Sequence, residues 1–81
     1  MHHYRLICRA ALAPRVIIEL FRRGVYRARG GPAPADSQRA RHHLRIQAES
    51  ESQAIEQARR QVEEAGGEAS KIADVVVVGR D

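Results

Sequence analysis

The side chains of this chain that could do chemistry are mostly guanidinium groups. Arg5 and Arg9, Arg27 and Arg29, and Arg41 and Arg45 flank apolar residues in three short stretches. Even spacing of this kind puts side chains on the same face of a strand. Set side by side, the three stretches would make one basic plate from six scattered arginines. A plate of guanidinium forks recognises carboxylates or phosphates, often through two parallel hydrogen bonds. Other chemistry finds little footing. Glu51, Glu56, Glu63 and Glu64 fall on the predicted outer side of a helix, where solvation accounts for them better than acid–base work does. His2, His3, His42, His43 and Cys8 have the donor atoms of a zinc site, but adjacent histidines on a strand point to opposite faces. Cys8 with His42 would give only two ligands, too few for a metal centre. The chain has no Gly-x-Ser-x-Gly elbow, no phosphate-binding glycine loop and no Cys-x-x-Cys, so neither a catalytic centre nor a cofactor is expected.

The formal charge of +4 conceals a stronger split. Residues 1–45 hold ten arginines against Glu19 and Asp36, a balance of +8. Residues 46–81 hold four basic residues against eight acids, a balance of −4. A basic half points to an acidic protein, an acidic ligand or nucleic acid as partner. With 81 residues and only Tyr4, Phe21 and Tyr26 as aromatics, the core must be aliphatic and small. Small cores favour help from a second chain, so a homodimer is expected. The lone Cys8, inside an apolar stretch, suits packing in a reducing compartment. No apolar run reaches the roughly 20 residues of a membrane span and no signal-type apolar segment leads the chain, which together read as cytoplasmic.

Periodicity sets the elements. Residues 4–10 alternate as a strand, with Tyr4, Leu6, Cys8 and Ala10 facing the core. Pro14 suits the first turn of a helix carried by Val16, Ile17, Leu20 and Phe21 and ended by Gly24. Residues 25–29 read as a second strand, and 30–37, rich in Gly and Pro, as a loop. His42, Leu44, Ile46 and Ala48 define a third strand within 41–48. Ser50 with Gln53 matches a helix cap, and Ile55, Ala58, Val62 and Ala65 form a stripe that stops at Gly66-Gly67. Residues 72–78, with four consecutive valines, close the chain as a strand needing apolar cover on both faces or a partner edge. The pattern βαββαβ predicts one α+β domain over 1–81 of ferredoxin-like form. It has a four-stranded antiparallel sheet with both helices on one face, the last strand beside the first, the first beside the third and the third beside the second.

From Pro14 onward the chain resembles ACT domains, most closely the small regulatory subunit of acetolactate synthase. The likeness runs through Arg15-Val16-Ile17, Arg22-Arg23-Gly24, Ala33-Pro34, His43-Leu44-Arg45-Ile46, Ile55-Glu56-Gln57 and Ile72-Ala73-Asp74-Val75-Val76. It implies a non-catalytic subunit of branched-chain amino-acid biosynthesis that tunes a larger catalytic subunit. It also places a branched-chain amino-acid effector at Ala10, Ala11 and Leu12. Where the family usually carries Pro-Gly this chain has Ala10-Ala11, and an added Cβ there hinders close backbone approach and positive φ. A partner that binds its enzyme but answers weakly to the amino acid fits those residues. The docking face is then Arg5, Arg9, Arg27, Arg29, Arg41 and Arg45. Two other readings compete: a stand-alone amino-acid-sensing dimer, and weak nucleic-acid binding on the basic sheet face. RNA-binding domains of this shape stack bases on sheet aromatics, and here only His43 could do so.

Overall fold

A computed structural model of the chain describes residues 1–68 and 74–81. Its elements are β1 (His2–Cys8), α1 (Pro14–Arg22), a 3-10 helix (Pro34–Gln38), β2 (His42–Ala48), α2 (Glu51–Glu64) and β3 (Val75–Arg80). β1 is the middle strand. It runs antiparallel to β2 from His2 opposite Ala48 to Cys8 opposite His42, and antiparallel to β3 on its other side. Alternation is strict in β2, where His42, Leu44, Ile46 and Ala48 are buried and His43, Arg45 and Gln47 exposed. Tyr4, Leu6 and Cys8 of β1 are buried likewise. Val16, Ile17 and Leu20 of α1 and Ala54, Ala58 and Val62 of α2 join them in one aliphatic cluster, so both helices cover the same side of the sheet.

The expected four-stranded sheet has three strands among the described residues. The stretch expected as a second strand, 25–29, pairs only through a single bridge, Tyr26 with Leu44. Two hydrogen bonds fix it: the Arg27 N–H donates to the His43 carbonyl at 2.9 Å and the Arg45 N–H to the Val25 carbonyl at 2.7 Å. The cause lies at the end of α1. The N–H groups of both Val25 and Tyr26 donate to the Leu20 carbonyl, at 2.9 and 3.1 Å. The chain therefore stays tied to the helix for two residues, and both side chains are buried instead of alternating. Gly30 and Gly31, at φ of 78° and 95°, then turn it away. The bridge nevertheless lies beside β2, the edge expected for this stretch.

The other boundaries differ by small shifts with local reasons. β1 covers 2–8 rather than 4–10. Arg9 still donates its N–H to the Asp74 carbonyl at 2.9 Å, and Ala10 is left outside the ladder. β3 continues past Val78 to Arg80 by way of a bulge, where the register against β1 shifts between Arg5 and Leu6. Ile72, the expected first residue of that strand, lies outside the described residues. The presumed irregular loop includes the 3-10 helix at Pro34–Gln38, where the Asp36 carboxylate accepts from the Ala33 N–H at 2.8 Å. Phe21, expected in the core, is 42% exposed.

Both ends of α2 follow from single residues. The Ser50 hydroxyl accepts from the Gln53 N–H at 3.2 Å. The Gln53 side chain reaches back to the Glu49 N–H, at 2.7 Å, one residue earlier than a capping box would take it. At the other end Gly66, at φ of 105°, donates to the Glu63 carbonyl and Gly67 to the Val62 carbonyl, the double closure of a Schellman motif. A Cβ on Gly67 would come within 2.6 Å of Val62 Cγ1 and 2.9 Å of the Val62 carbonyl oxygen. Gly67→Ala should therefore destabilise the domain by about 1–2 kcal/mol, as a lower urea midpoint in circular dichroism. An unchanged midpoint would mean that the helix end yields freely.

Candidate interaction surface

The helix-free side of the sheet gathers the arginines. β1 contributes Arg5 and β2 contributes Arg45 and His43. The bridged segment beside β2 brings Arg27 and Arg29, and these five side chains line one open concavity of about 720 Å3. A second, of about 340 Å3, shares Arg27, Arg29 and His43 and adds Arg39 and Arg41. Together they make a continuous basic trough. Alternation placed Arg5, Arg27, Arg29, Arg41 and Arg45 there. Arg39, which lies between elements, gave no periodic signal, and folding of the 30–41 segment delivers it.

The sixth arginine behaves differently. Arg9 lines neither concavity, and its guanidinium grips one Asp74 carboxylate oxygen through Nε at 3.0 Å and Nη2 at 2.8 Å. Arg5 is also partnered, with Nε 3.1 Å from Asp81 Oδ1. Both pairs are about half exposed, so each adds little to stability. Among the described residues Arg27, Arg29, Arg41 and Arg45 have no acidic partner. The one carboxylate lining the trough, Asp36, is already committed to the Ala33 N–H and to Arg39 at 3.5 Å. Four unpaired guanidiniums remain to meet an external anion.

A buried polar clamp holds the trough's walls. His42 is 1% exposed, and its Nε2 lies 3.1 Å from the Arg39 carbonyl oxygen. That oxygen can only accept, so Nε2 carries the proton. Nδ1 is then the acceptor for the Tyr26 hydroxyl, 2.8 Å away. One imidazole thus ties the segment bearing Arg27 and Arg29 to the segment bearing Arg39 and Arg41. Burial lowers the His42 pKa, against the opposing pull of the Arg39 carbonyl and Asp36. Burial likewise raises that of Tyr26. The lowered His42 pKa favours the neutral ring.

The remaining candidates fall elsewhere. Cys8 faces His42 across the β1–β2 ladder, but both His42 nitrogens are engaged, and burial followed by the Asp74 charge raises the Cys8 pKa. Its thiol is a packing group. Glu51, Glu56, Glu63 and Glu64 are all exposed on α2, on the far side of the molecule from the trough. Ala10, Ala11 and Leu12, named for an amino-acid effector, do not share one surface. Leu12 is buried in the core and Ala10 packs against it, while Ala11 is exposed. Ala11 and Leu12 border a crevice of about 110 Å3 beside Gly66 and Gly67. No helix among the described residues is long and apolar enough to cross a membrane. Comparison with protein-family models, with curated proteins and with solved structures gave no match.

Proposed function

We propose that this chain is a non-catalytic interaction subunit that docks onto an acidic patch of a larger enzyme through its arginine trough. The partner implied by its resemblance to ACT-type regulatory subunits is the catalytic subunit of acetolactate synthase. One observation carries the reading: Arg27, Arg29, Arg41 and Arg45 converge on one face with no acidic partner among the described residues. Guanidiniums held close together without counterions repel one another, and an acidic surface relieves that. Ile7 of β1, opposite His43 of β2, is half-buried at the margin of the basic side chains. Apolar groups of a protein can cover Ile7, whereas a phosphodiester backbone cannot, and the described strands present no exposed Phe, Tyr or Trp to stack a base, only histidine such as His43.

The test is calorimetric titration of the chain into the acetolactate synthase catalytic subunit of the same organism. Arg27→Glu with Arg29→Glu should weaken binding by about 100-fold or more and leave the circular dichroism unchanged, since both side chains are exposed. Wild-type binding should also fall steeply with added salt. No binding by the wild type, or equal binding by the double variant, removes the proposal. Binding to single-stranded RNA in place of the enzyme would replace it with a nucleic-acid function.

A further inference from the structure

Two of the large apolar side chains left exposed, Ile18 at 54% and Phe21 at 42%, lie on α1. They border a groove of about 290 Å3 between α1 and the segment 30–38, walled by Pro14, Ile17, Ile18, Pro32 and Pro34. The Phe21 ring reaches the same segment, since a Cβ on Gly31 would stand 3.8 Å from its Cζ. The groove shares no arginine with the trough. Its walls are preformed. Prolines have almost no side-chain freedom to lose on binding, and the Asp36 carboxylate holds the 3-10 helix in place by accepting from the Ala33 N–H. Ser37, the polar side chain among those lining the groove, donates to the Pro34 carbonyl at 3.1 Å. No side-chain donor remains inside, so the part of an occupant that enters must be apolar.

Size and charge define that occupant. About 290 Å3 lies at the bottom of the range for a small-molecule pocket and suits one or two anchoring side chains of a protein. Arg15 and Arg22 stand three residues before and four after Ile18, so helix geometry sets both on its outward face. Arg15 has no acidic partner among the described residues. Arg22 reaches Glu19 only at 3.7 Å, and Arg23 takes the same carboxylate at 3.1 Å. No carboxylate among the described residues lines the groove. An apolar slot with a cationic margin complements an apolar residue flanked by carboxylates. We propose that the groove docks an acidic segment of a second protein, which inserts a leucine or phenylalanine side chain between α1 and the prolines and sets its carboxylates against Arg15 and Arg22. A phosphodiester chain would satisfy the arginines but leave the slot empty. The site goes beyond docking through the trough and does not depend on it.

The test silences the trough first, with Arg27→Glu and Arg29→Glu, so that the two surfaces are read separately. In that background, fluorescence anisotropy with the labelled peptide Glu-Glu-Leu-Phe-Glu-Glu should show saturable binding in the submillimolar range. Adding Ile18→Ser should weaken it by about tenfold or more, the loss of one anchoring contact. Adding Arg15→Glu with Arg22→Glu should instead abolish it and confer binding of the peptide Lys-Lys-Leu-Phe-Lys-Lys. Circular dichroism should stay unchanged throughout, since every substituted side chain is exposed. Absence of binding by the first peptide overturns the inference, as does equal binding of Glu-Glu-Ser-Ser-Glu-Glu or equal binding by the Ile18→Ser protein. Self-association in light scattering that Ile18→Ser removes would give the groove to a second copy of this chain and overturn it as well.

Discussion

Replacing Leu44 with Ala is expected to remove about 2–5 kcal/mol of stability, the range for deleting a fully buried leucine side chain from a packed core. Leu44 is 0% exposed. It stands opposite Leu6 on β1 and makes the single bridge to Tyr26 on the other side. A domain of this size holds about 4–12 kcal/mol in all, so the variant should be partly unfolded near room temperature or unfold at far lower urea. The loss extends to function. The bridge at Leu44 is what seats the segment bearing Arg27 and Arg29, so the surviving folded fraction should also bind anions less well. Ile18→Ala is the control: at 54% exposure it should move the midpoint only slightly. Equal midpoints for the two variants would show that the core is not centred on the sheet.

His42→Leu should cost about 2–3 kcal/mol at pH 7.5, because it leaves the Tyr26 hydroxyl and the Arg39 carbonyl without the imidazole that serves both. The size of that penalty should depend on pH, with a definite sign. Burial lowers the His42 pKa below the ordinary value of 6.5, so between the folded and unfolded values the unfolded chain binds the extra proton. Stability from this group is complete above about pH 6.5 and is lost as pH falls towards the folded pKa, at no more than about 1.4 kcal/mol per unit. Leucine does not titrate, so the gap between variant and wild type should narrow on acidification. Urea titrations of both proteins at several pH values read this directly, and parallel pH profiles would exclude His42 as the titrating group.

The parts of the fold legible in the sequence were those with a local cause. Strict alternation marks β2 down to the burial of His42, and Ser50 and Gly66-Gly67 mark the two ends of α2. The rest depended on contacts distant in the chain. Nothing local in residues 25–29 distinguishes a strand from a segment held by the Leu20 carbonyl, and the bridge at Tyr26 is the result. Ala54 enters the core while Ile55 is only half-buried, a small rotation of the helical stripe that depends on how α2 meets the sheet. In the basic plate, five arginines followed from even spacing. The Arg9–Asp74 pair spans 65 residues of sequence, so the loss of one member could not be read in advance. The Tyr26–His42–Arg39 clamp escaped for the same reason: each residue is ordinary in its own element, and only the fold brings the three together.

The position of β1 between β2 and β3 bears on how the chain reaches this state. Its ladder to β3 closes a loop almost as long as the domain, and large loops are entropically slow to close. β3 is therefore expected to dock last, and until it does the central strand shows a bare hydrogen-bonding edge. On that edge Arg5 and Arg9 flank Leu6, Ile7 and Cys8, where charge discourages stray cross-strand aggregation of an otherwise sticky run. Two arginines read first as recognition residues thus also serve as gatekeepers of the half-open chain.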